Sequence, residues 1–89
     1  MYKIQKGLII QKIDKETVIF DAEESVFYTL NETASEIFKM IKKGLSEEEI
    51  VEKMVKKYSI KKEKAEKDVK EIIGELKKRK IIVFKNKTT

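Results

Sequence analysis

The chain has 89 residues, of which 42% are charged, and a formal net charge of +5 at pH 7. A chain of this length forms one domain with one modest core, which excludes large two-lobed enzymes. It contains neither cysteine nor histidine, which excludes the usual ligands of zinc, copper and iron–sulfur sites and any nucleophile activated by an imidazole. We therefore expect a binding protein that is not an enzyme and needs no cofactor or metal.

The sequence shows no signal for a membrane or for export. It has no apolar run of about 18 residues, and its N-terminus has no sustained apolar segment, so we expect a cytoplasmic protein without a membrane span. Lysine and glutamate are abundant and proline is absent. This composition is common in proteins adapted to heat and indicates a thermophilic prokaryote as the source.

The basic charge is concentrated in the second half of the chain. Residues 1–44 have seven basic and seven acidic side chains, whereas residues 45–89 have 14 basic and nine acidic. The run 77–87 contains six basic residues and no acid. Such a run either complements the negative C-terminal end of a helix or attracts an acidic partner.

The first thirty residues predict an antiparallel sheet. Residues 8–13, 17–20 and 26–30 are rich in β-branched and aromatic side chains and are separated by short polar turns. Turns this short join antiparallel neighbours, so we expect a three-stranded meander with two edges.

From residue 31 the apolar period becomes helical. Asn31 or Thr33 can cap a first helix, and Gly44 supplies its left-handed end. Ser46 and Glu49 have the spacing of a capping box at the start of a second helix. The first helix has its apolar residues on one face, at Ala34, Ile37, Phe38 and Ile41.

A third helix is predicted over about residues 62–79. Its start is poorly capped, because Lys61 is a weak N-terminal residue. Gly74 inside it costs about 1 kcal/mol relative to alanine, which a close approach to another backbone would explain. Residues 81–84 predict a short last strand or an apolar tail.

This order of elements predicts an α+β fold. We expect a winged helix-turn-helix-like domain with an N-terminal three-stranded antiparallel sheet, three helices and a short C-terminal strand. A single domain over residues 1–89, with an ordered core of about residues 3–84, fits the absence of any linker.

The third predicted strand lacks the usual protection of a sheet edge. Val26, Tyr28 and Leu30 share the face that leads into the helical core, and Phe27 and Thr29 share the other. The plain interpretation is core packing, with Phe27 as a lone surface apolar residue. Unused edges are usually blunted by lysine or proline, which this strand lacks, so the pattern favours an edge that binds an extended peptide.

The third predicted helix has a polar stripe beside its apolar face. Lys64, Asp68, Glu71 and Glu75 follow one another at spacings of four, three and four. These residues form either a solvated flank with paired charges or one wall of a groove whose other wall is the third strand. Mixed charge fits a peptide better than DNA, since phosphates are recognised by lysine and arginine.

At this point the chain resembles the PqqD-like domain, over about residues 8–82. The resemblance rests mainly on the junction Leu30-Asn31-Glu32-Thr33-Ala34, the helix-ending Gly44 and the pair Asp68-Val69. Further matching positions are Tyr28, Thr29, Ile37, Phe38, Ile50, Tyr58 and Leu76. PqqD-like domains are recognition elements in biosynthetic systems for ribosomally made, post-translationally modified peptides.

The resemblance implies a mechanism for this chain. A precursor leader peptide would add as an antiparallel strand to the third predicted strand, in the groove beside the third helix. A peptide-modifying enzyme, such as a radical SAM protein, a leader protease or a cyclase, would be the second partner. The implied peptide-binding residues are Ser25, Val26, Phe27, Tyr28, Thr29, Leu30, Lys64, Asp68, Glu71 and Ile72; of the groove residues, only Asp68 matches a family position, and the others follow from geometry.

Two other functions stay open at this level. The helix-turn-helix order and the net charge of +5 are also typical of a winged-helix DNA-binding protein, although the acids of the third helix argue against nucleic acid. An adaptor that docks to its enzyme through residues 77–87 is the third possibility. An unprotected edge permits either a monomer or an edge-paired dimer.

Overall fold

A computed structural model describes residues 2–84, so the predictions for residues 85–89 lie outside the described residues. The chain forms five strands and three helices over this range. In chain order these are β1 (Tyr2–Ile4), β2 (Leu8–Ile13), β3 (Glu16–Asp21), β4 (Val26–Leu30), α1 (Glu32–Lys42), α2 (Glu47–Tyr58), α3 (Lys62–Lys78) and β5 (Ile82–Phe84). The predicted α+β fold, with its N-terminal sheet, three helices and C-terminal strand, is confirmed.

The strands form two separate antiparallel sheets. One contains β2, β3 and β4 in that order, which is the predicted meander, and the other pairs β1 with β5. Strand β1, only three residues long, was not predicted from the sequence. It pairs with β5 far along the chain, with Tyr2 opposite Phe84 and Ile4 opposite Ile82, so no turn in the nearby sequence indicated it.

The helix ends follow the capping signals, with one choice resolved. Asn31, not Thr33, caps α1, because its Oδ1 accepts a hydrogen bond of 2.9 Å from the Ala34 amide. Ser46 and Glu49 form the predicted capping box at α2. The Nζ of Lys57 on α2 lies 2.9 Å from the Oε1 of Glu36 on α1, and this hydrogen bond lowers the pKa of the Glu36 carboxyl.

The third helix carries two weak points that the sequence indicated. Lys61 is its N-cap and makes no side-chain capping bond. Gly74 lies in the helix, and apart from its chain neighbours and the adjacent backbone of α3 no heavy atom lies within 4 Å of where a Cβ would stand. A close backbone approach therefore does not explain this glycine, and nothing in the structure requires it.

The core lies between the three helices and one face of the sheet. Its largest fully buried side chains are Phe38, Ile19, Ile37, Ile41, Ile50, Met54, Leu76, Ile81, Ile82 and Val69. All three helices contribute, and β3 is the only strand of the meander with a fully buried apolar residue. Each outer strand of the meander, β2 and β4, is therefore held by the packing of its inner face and by its pairing with β3. No helix in residues 2–84 has the length and apolarity needed to cross a lipid bilayer.

Candidate functional site

Strand β4 is an edge of the three-stranded sheet. It pairs with β3 on one side, with Ile19 opposite Tyr28 and Phe20 opposite Phe27. Its other side pairs with no strand among the described residues. The unprotected edge proposed from the sequence is thus free in residues 2–84.

The register of the sheet identifies which groups face this edge. A two-residue turn joins β2 to β3 and leaves Ile13 opposite Glu16. Such a turn closes on a hydrogen-bonded pair, and hydrogen-bonded pairs then alternate along the ladder. Since every second residue of β3 bonds to β2, the intervening residues bond to β4. In β4 the groups of Phe27 and Thr29 therefore point away from β3.

This alternation reduces the number of residues in β4 whose main-chain groups could bond to a peptide. Val26, Tyr28 and Leu30 direct their main-chain groups at β3, since they lie opposite the residues of β3 that bond in that direction. Ser25 lies in the turn before β4, with a positive φ of 54°. Only Phe27 and Thr29 within β4 offer an amide and a carbonyl to a fourth strand.

The side chains of β4 divide as predicted between two faces. Tyr28 and Leu30 are half-buried and pack against the core, whereas Phe27 and Thr29 are exposed. Val26 shares the inner face but is 37% exposed, because it borders an open cleft beside Lys78 and Arg79 at the end of α3. The inner face thus holds the strand through two of its five side chains.

A pair of buried hydroxyls fixes the end of β4 to α1. Thr17 Oγ1 donates a hydrogen bond of 2.8 Å to Ser35 Oγ, and Ser35 Oγ donates one of 3.1 Å to the Leu30 carbonyl. Both hydroxyl side chains are buried. The link joins β3, β4 and α1 at the strand-to-helix junction, where Asn31 also caps α1. Nothing in the sequence pattern predicted this pair.

Helix α3 stands apart from β4. No Cα of one element lies within 8 Å of a Cα of the other, and the space between the two elements is called the channel below. One contact crosses the channel, where the Arg79 guanidinium lies 4.9 Å from the centroid of the Tyr28 ring. Arg79 Nε also donates a hydrogen bond of 3.1 Å to Glu75 Oε1. The face of α3 that carries Glu75 and Arg79 is therefore the one that looks toward β4.

The predicted residues of α3 differ in exposure. Ile72 lies three residues before Glu75 and Asp68 four residues before Ile72, and both are half-buried. Lys64 lies one turn further, exposed, with its Nζ 3.2 Å from Asp68 Oδ2. Glu71 is exposed. At about 100° per residue, all four predicted residues lie within about 60° of the mean direction of Glu75 and Arg79, so all four are on the side of α3 that faces β4, and their contact with a peptide stays a prediction.

Arg79 was not among the predicted residues, although it follows Glu75 by four residues and Ile72 by seven, a spacing that places all three on one side of a helix. The plain interpretation of β4 also treated Phe27 as a lone surface residue. In the structure the Phe27 and Phe20 ring centroids lie 4.6 Å apart. Side chains alternate between the two faces along a strand. Applied to the second and third predicted strands, this rule would have placed Phe20 and Phe27 on the same face.

An open cleft of about 510 Å³ lies at the Val26 end of the channel. Its lining includes the acidic Asp21, Glu23 and Glu24 and the basic Lys6, Lys78, Arg79 and Lys80. The Asp21 carboxylate accepts hydrogen bonds from the amides of Glu23 and Glu24 and so holds the turn before β4. The cleft has charges of both signs. In residues 2–84 no group of three or more acidic side chains is placed to hold a metal ion.

Comparisons with known proteins agree on one family and one fold. The family described as Coenzyme PQQ synthesis protein D (PqqD) matches residues 16–82. The solved structure "TbiB1 in Complex with the TbiA(beta) Leader Peptide" is similar, with a TM-score of 0.86 and 23% identity, over 94% of this chain and 98% of that chain. So is "Lasso peptide synthetase B1 complexed with the leader peptide", with a TM-score of 0.86 and 19% identity, over 93% and 98%. No curated protein matches the chain.

Proposed function

The chain belongs to the PqqD family, and on this premise we propose that it is a non-catalytic protein that binds the leader segment of a ribosomally made precursor peptide. The leader adds to β4 as an antiparallel strand, in the channel beside α3. The bound precursor is then presented to a modifying enzyme, such as a radical SAM protein, a leader protease or a cyclase. Both similar solved structures are named as complexes with leader peptides, which supports the proposal.

The free edge of β4 is the observation that carries the proposal. Phe27 and Thr29 each offer one donor and one acceptor to a fourth strand, so a short peptide can make four main-chain hydrogen bonds. Each such bond contributes about 0.5–1.5 kcal/mol net. Ordering a disordered peptide costs about 2–5 kcal/mol, so these bonds alone leave little net affinity. Side-chain contacts in the channel must therefore supply the rest.

The channel offers two kinds of side-chain contact on its inner side. Ile72 and Tyr28 provide apolar surface, and the partly exposed Asp68 and Arg79 provide a charge of each sign. A leader whose inward side chains are apolar with flanking charges suits this wall. The cation–π contact between Arg79 and Tyr28 is worth about 0.5–1 kcal/mol at an exposed site, so a bound peptide can displace it at small cost.

Amide chemical-shift mapping tests the proposal. The probe is a peptide selected for binding to the wild-type protein from a displayed library of random dodecapeptides. We expect shift changes at Phe27, Thr29 and the channel face of α3, and none along β2, which is the other edge of the same sheet. Saturating changes confined to β2 or to α2 would contradict the proposal.

A DNA duplex serves as the second probe in the same experiment. The helix-turn-helix order of α2 and α3 and the net charge of +5 keep DNA binding as the alternative. The mixed charge of α3 weighs against it, because Asp68, Glu71 and Glu75 repel phosphates. We expect no shift changes with duplex at low salt, where electrostatic binding is strongest.

A further inference from the structure

An apolar row crosses the outer face of the three-stranded sheet and stops at the free edge. Ile9 lies opposite Phe20, and Phe20 lies opposite Phe27. The Phe20 and Phe27 rings are tilted by 38° with their centroids 4.6 Å apart. The next row on this face is Gln11, Val18 and Thr29, so none of the six positions carries a charge.

The end of the row is open to solvent. Phe27 is 67% exposed, the highest value among the large apolar side chains of residues 2–84. Phe20, its cross-strand neighbour on β3, packs against the ring from one side. A strand paired with the free edge of β4 would cover the other side of the ring, since side chains on a sheet face are covered by their cross-strand neighbours.

The alternation in β4 connects this face to the free edge. In an antiparallel strand the residues that share a face also direct their main-chain groups to the same side. Phe27 therefore has its side chain on the outer face and its amide and carbonyl at the edge. A residue that forms a hydrogen-bonded pair with Phe27 must place its own side chain beside the Phe27 ring, with the two Cβ atoms about 5.5 Å apart.

We infer that Phe27 and Phe20 form a binding subsite for one large apolar side chain, aromatic or branched aliphatic, of the peptide strand. The inference rests on the proposed function and adds a second, outer face to the recognition. The leader alternates at β4, with every second side chain in the channel toward α3 and the intervening ones on this face. Selection by Phe27 then acts on a leader position that the channel does not contact.

The peptide strand suits this subsite better than the other occupants. A second copy of the chain that pairs through its own β4 brings only one Phe27 ring, flanked by Thr29, to the shared face. A rigid protein surface resting on the outer face would also have to cover Ile9 and Ile13, which are 57% and 58% exposed on the same face. A single strand at the edge reaches Phe27 without covering either.

A displayed library of random dodecapeptides tests the subsite. Selection is run against the wild-type protein, Phe27→Thr and Ile13→Thr, the last being a matched control on the same face at the far edge. We expect wild type and Ile13→Thr to enrich an apolar residue at one aligned position. Phe27→Thr loses that enrichment and keeps the remainder of the motif, because threonine preserves the strand but not the ring.

One selected peptide then enters a double-mutant cycle. Changing its apolar residue to alanine, or changing Phe27 to threonine, each raises Kd about fivefold, and the two changes together raise it little more than either alone. Full additivity of the two changes overturns the subsite. Thr29→Pro separates this failure from that of the proposed function. If Thr29→Pro weakens peptides that lack the apolar preference, only the subsite is wrong; if no selected peptide depends on the edge, both are.

Discussion

Strands β2 and β4 are the two edges of one sheet, and they are protected differently. Lys12 of β2 shares the inner face with Thr17 and Leu30, so its charge points to the side of the sheet that the helices cover. A strand added to β2 would enclose this ammonium. Strand β4 has no charged residue from Val26 to Leu30. An inward charge at an edge is a recognised device against strand addition, and here only one edge has it.

The two edges also differ in what lies beyond them. The β4 edge faces a channel whose far wall is α3, with Arg79 reaching across to Tyr28. Beside β2, Lys12 lines one depression with Lys39 and Lys42 of α1 and a second one with Lys15, Lys57, Glu32 and Glu36. A peptide at β2 would therefore meet an excess of lysines over acids, whereas one at β4 meets a wall with charges of both signs. Protection and surroundings therefore indicate the same edge for binding.

Proline substitution at the two edges should give the largest difference. Thr29→Pro removes an edge-facing amide of β4, and Lys12→Pro removes the equivalent amide of β2 without touching the β2–β3 ladder. We expect Thr29→Pro to weaken peptide binding at least about tenfold, through the lost bond and the clash of the ring with a fourth strand. Isothermal titration with a peptide selected against the wild-type protein measures the Kd of both variants.

Lys12→Pro should leave the Kd of that titration within about twofold of wild type, since a loss of this size is within the ±0.5 kcal/mol of an ordinary surface change. Thermal unfolding of both variants checks that neither has lost its fold. Equal losses of affinity at the two edges would show that the peptide does not prefer β4 over β2.

The anchored end of β4 gives the next largest effect. Ser35→Ala leaves the Thr17 hydroxyl without its acceptor and the Leu30 carbonyl without its side-chain donor. We expect a loss of about 1–2 kcal/mol in the free energy of unfolding, measured by urea denaturation. The control is Thr33→Ala in the same turn of α1, whose hydroxyl makes no hydrogen bond in the described residues and whose loss should change stability by less than about 0.5 kcal/mol.

The smallest effect concerns the protected edge. Lys12→Thr removes the inward charge and keeps a residue that favours strands. We expect little change in stability, within about 0.5 kcal/mol, together with self-association at concentrations where the wild type keeps its oligomeric state. Sedimentation velocity measures this, with Lys15→Thr in the adjacent turn as the control for charge alone. An unchanged sedimentation coefficient at every concentration would mean that Lys12 does not guard β2.

Local patterns accounted for most of the fold. The bounds of β4 and the caps at Asn31 and Ser46 are determined by residues at most four positions away in the chain. They could therefore be predicted from short stretches of sequence. Strand β1 did not, because Tyr2–Ile4 becomes a strand only by pairing with the opposite end of the chain. The source in a thermophilic prokaryote and the cytoplasmic location stay predictions.

The sequence predicted which strand is the free edge, but not which amides and side chains this edge presents. The absence of lysine and proline in β4 is visible in the sequence. Which amides face outward depends on the Asp14-Lys15 turn, two strands away, and became clear only from the register. The contact of Arg79 with Tyr28 and the hydrogen bond of Thr17 to Ser35 each join two different elements, at least 18 positions apart in the chain. Contacts of this kind leave no periodic pattern in the sequence.

The position of the cleft at the Val26 end has a consequence for direction. On the proposed binding mode, an antiparallel leader would enter beside Leu30 and the start of α1 and leave beside Val26, where Lys78, Arg79 and Lys80 line the cleft. The part of the precursor that follows the leader would then emerge at this end of the sheet and extend by at most about 3.3 Å for every further residue. The number of residues between the leader and a modified position would therefore limit how far from Val26 a partner enzyme could hold its active site.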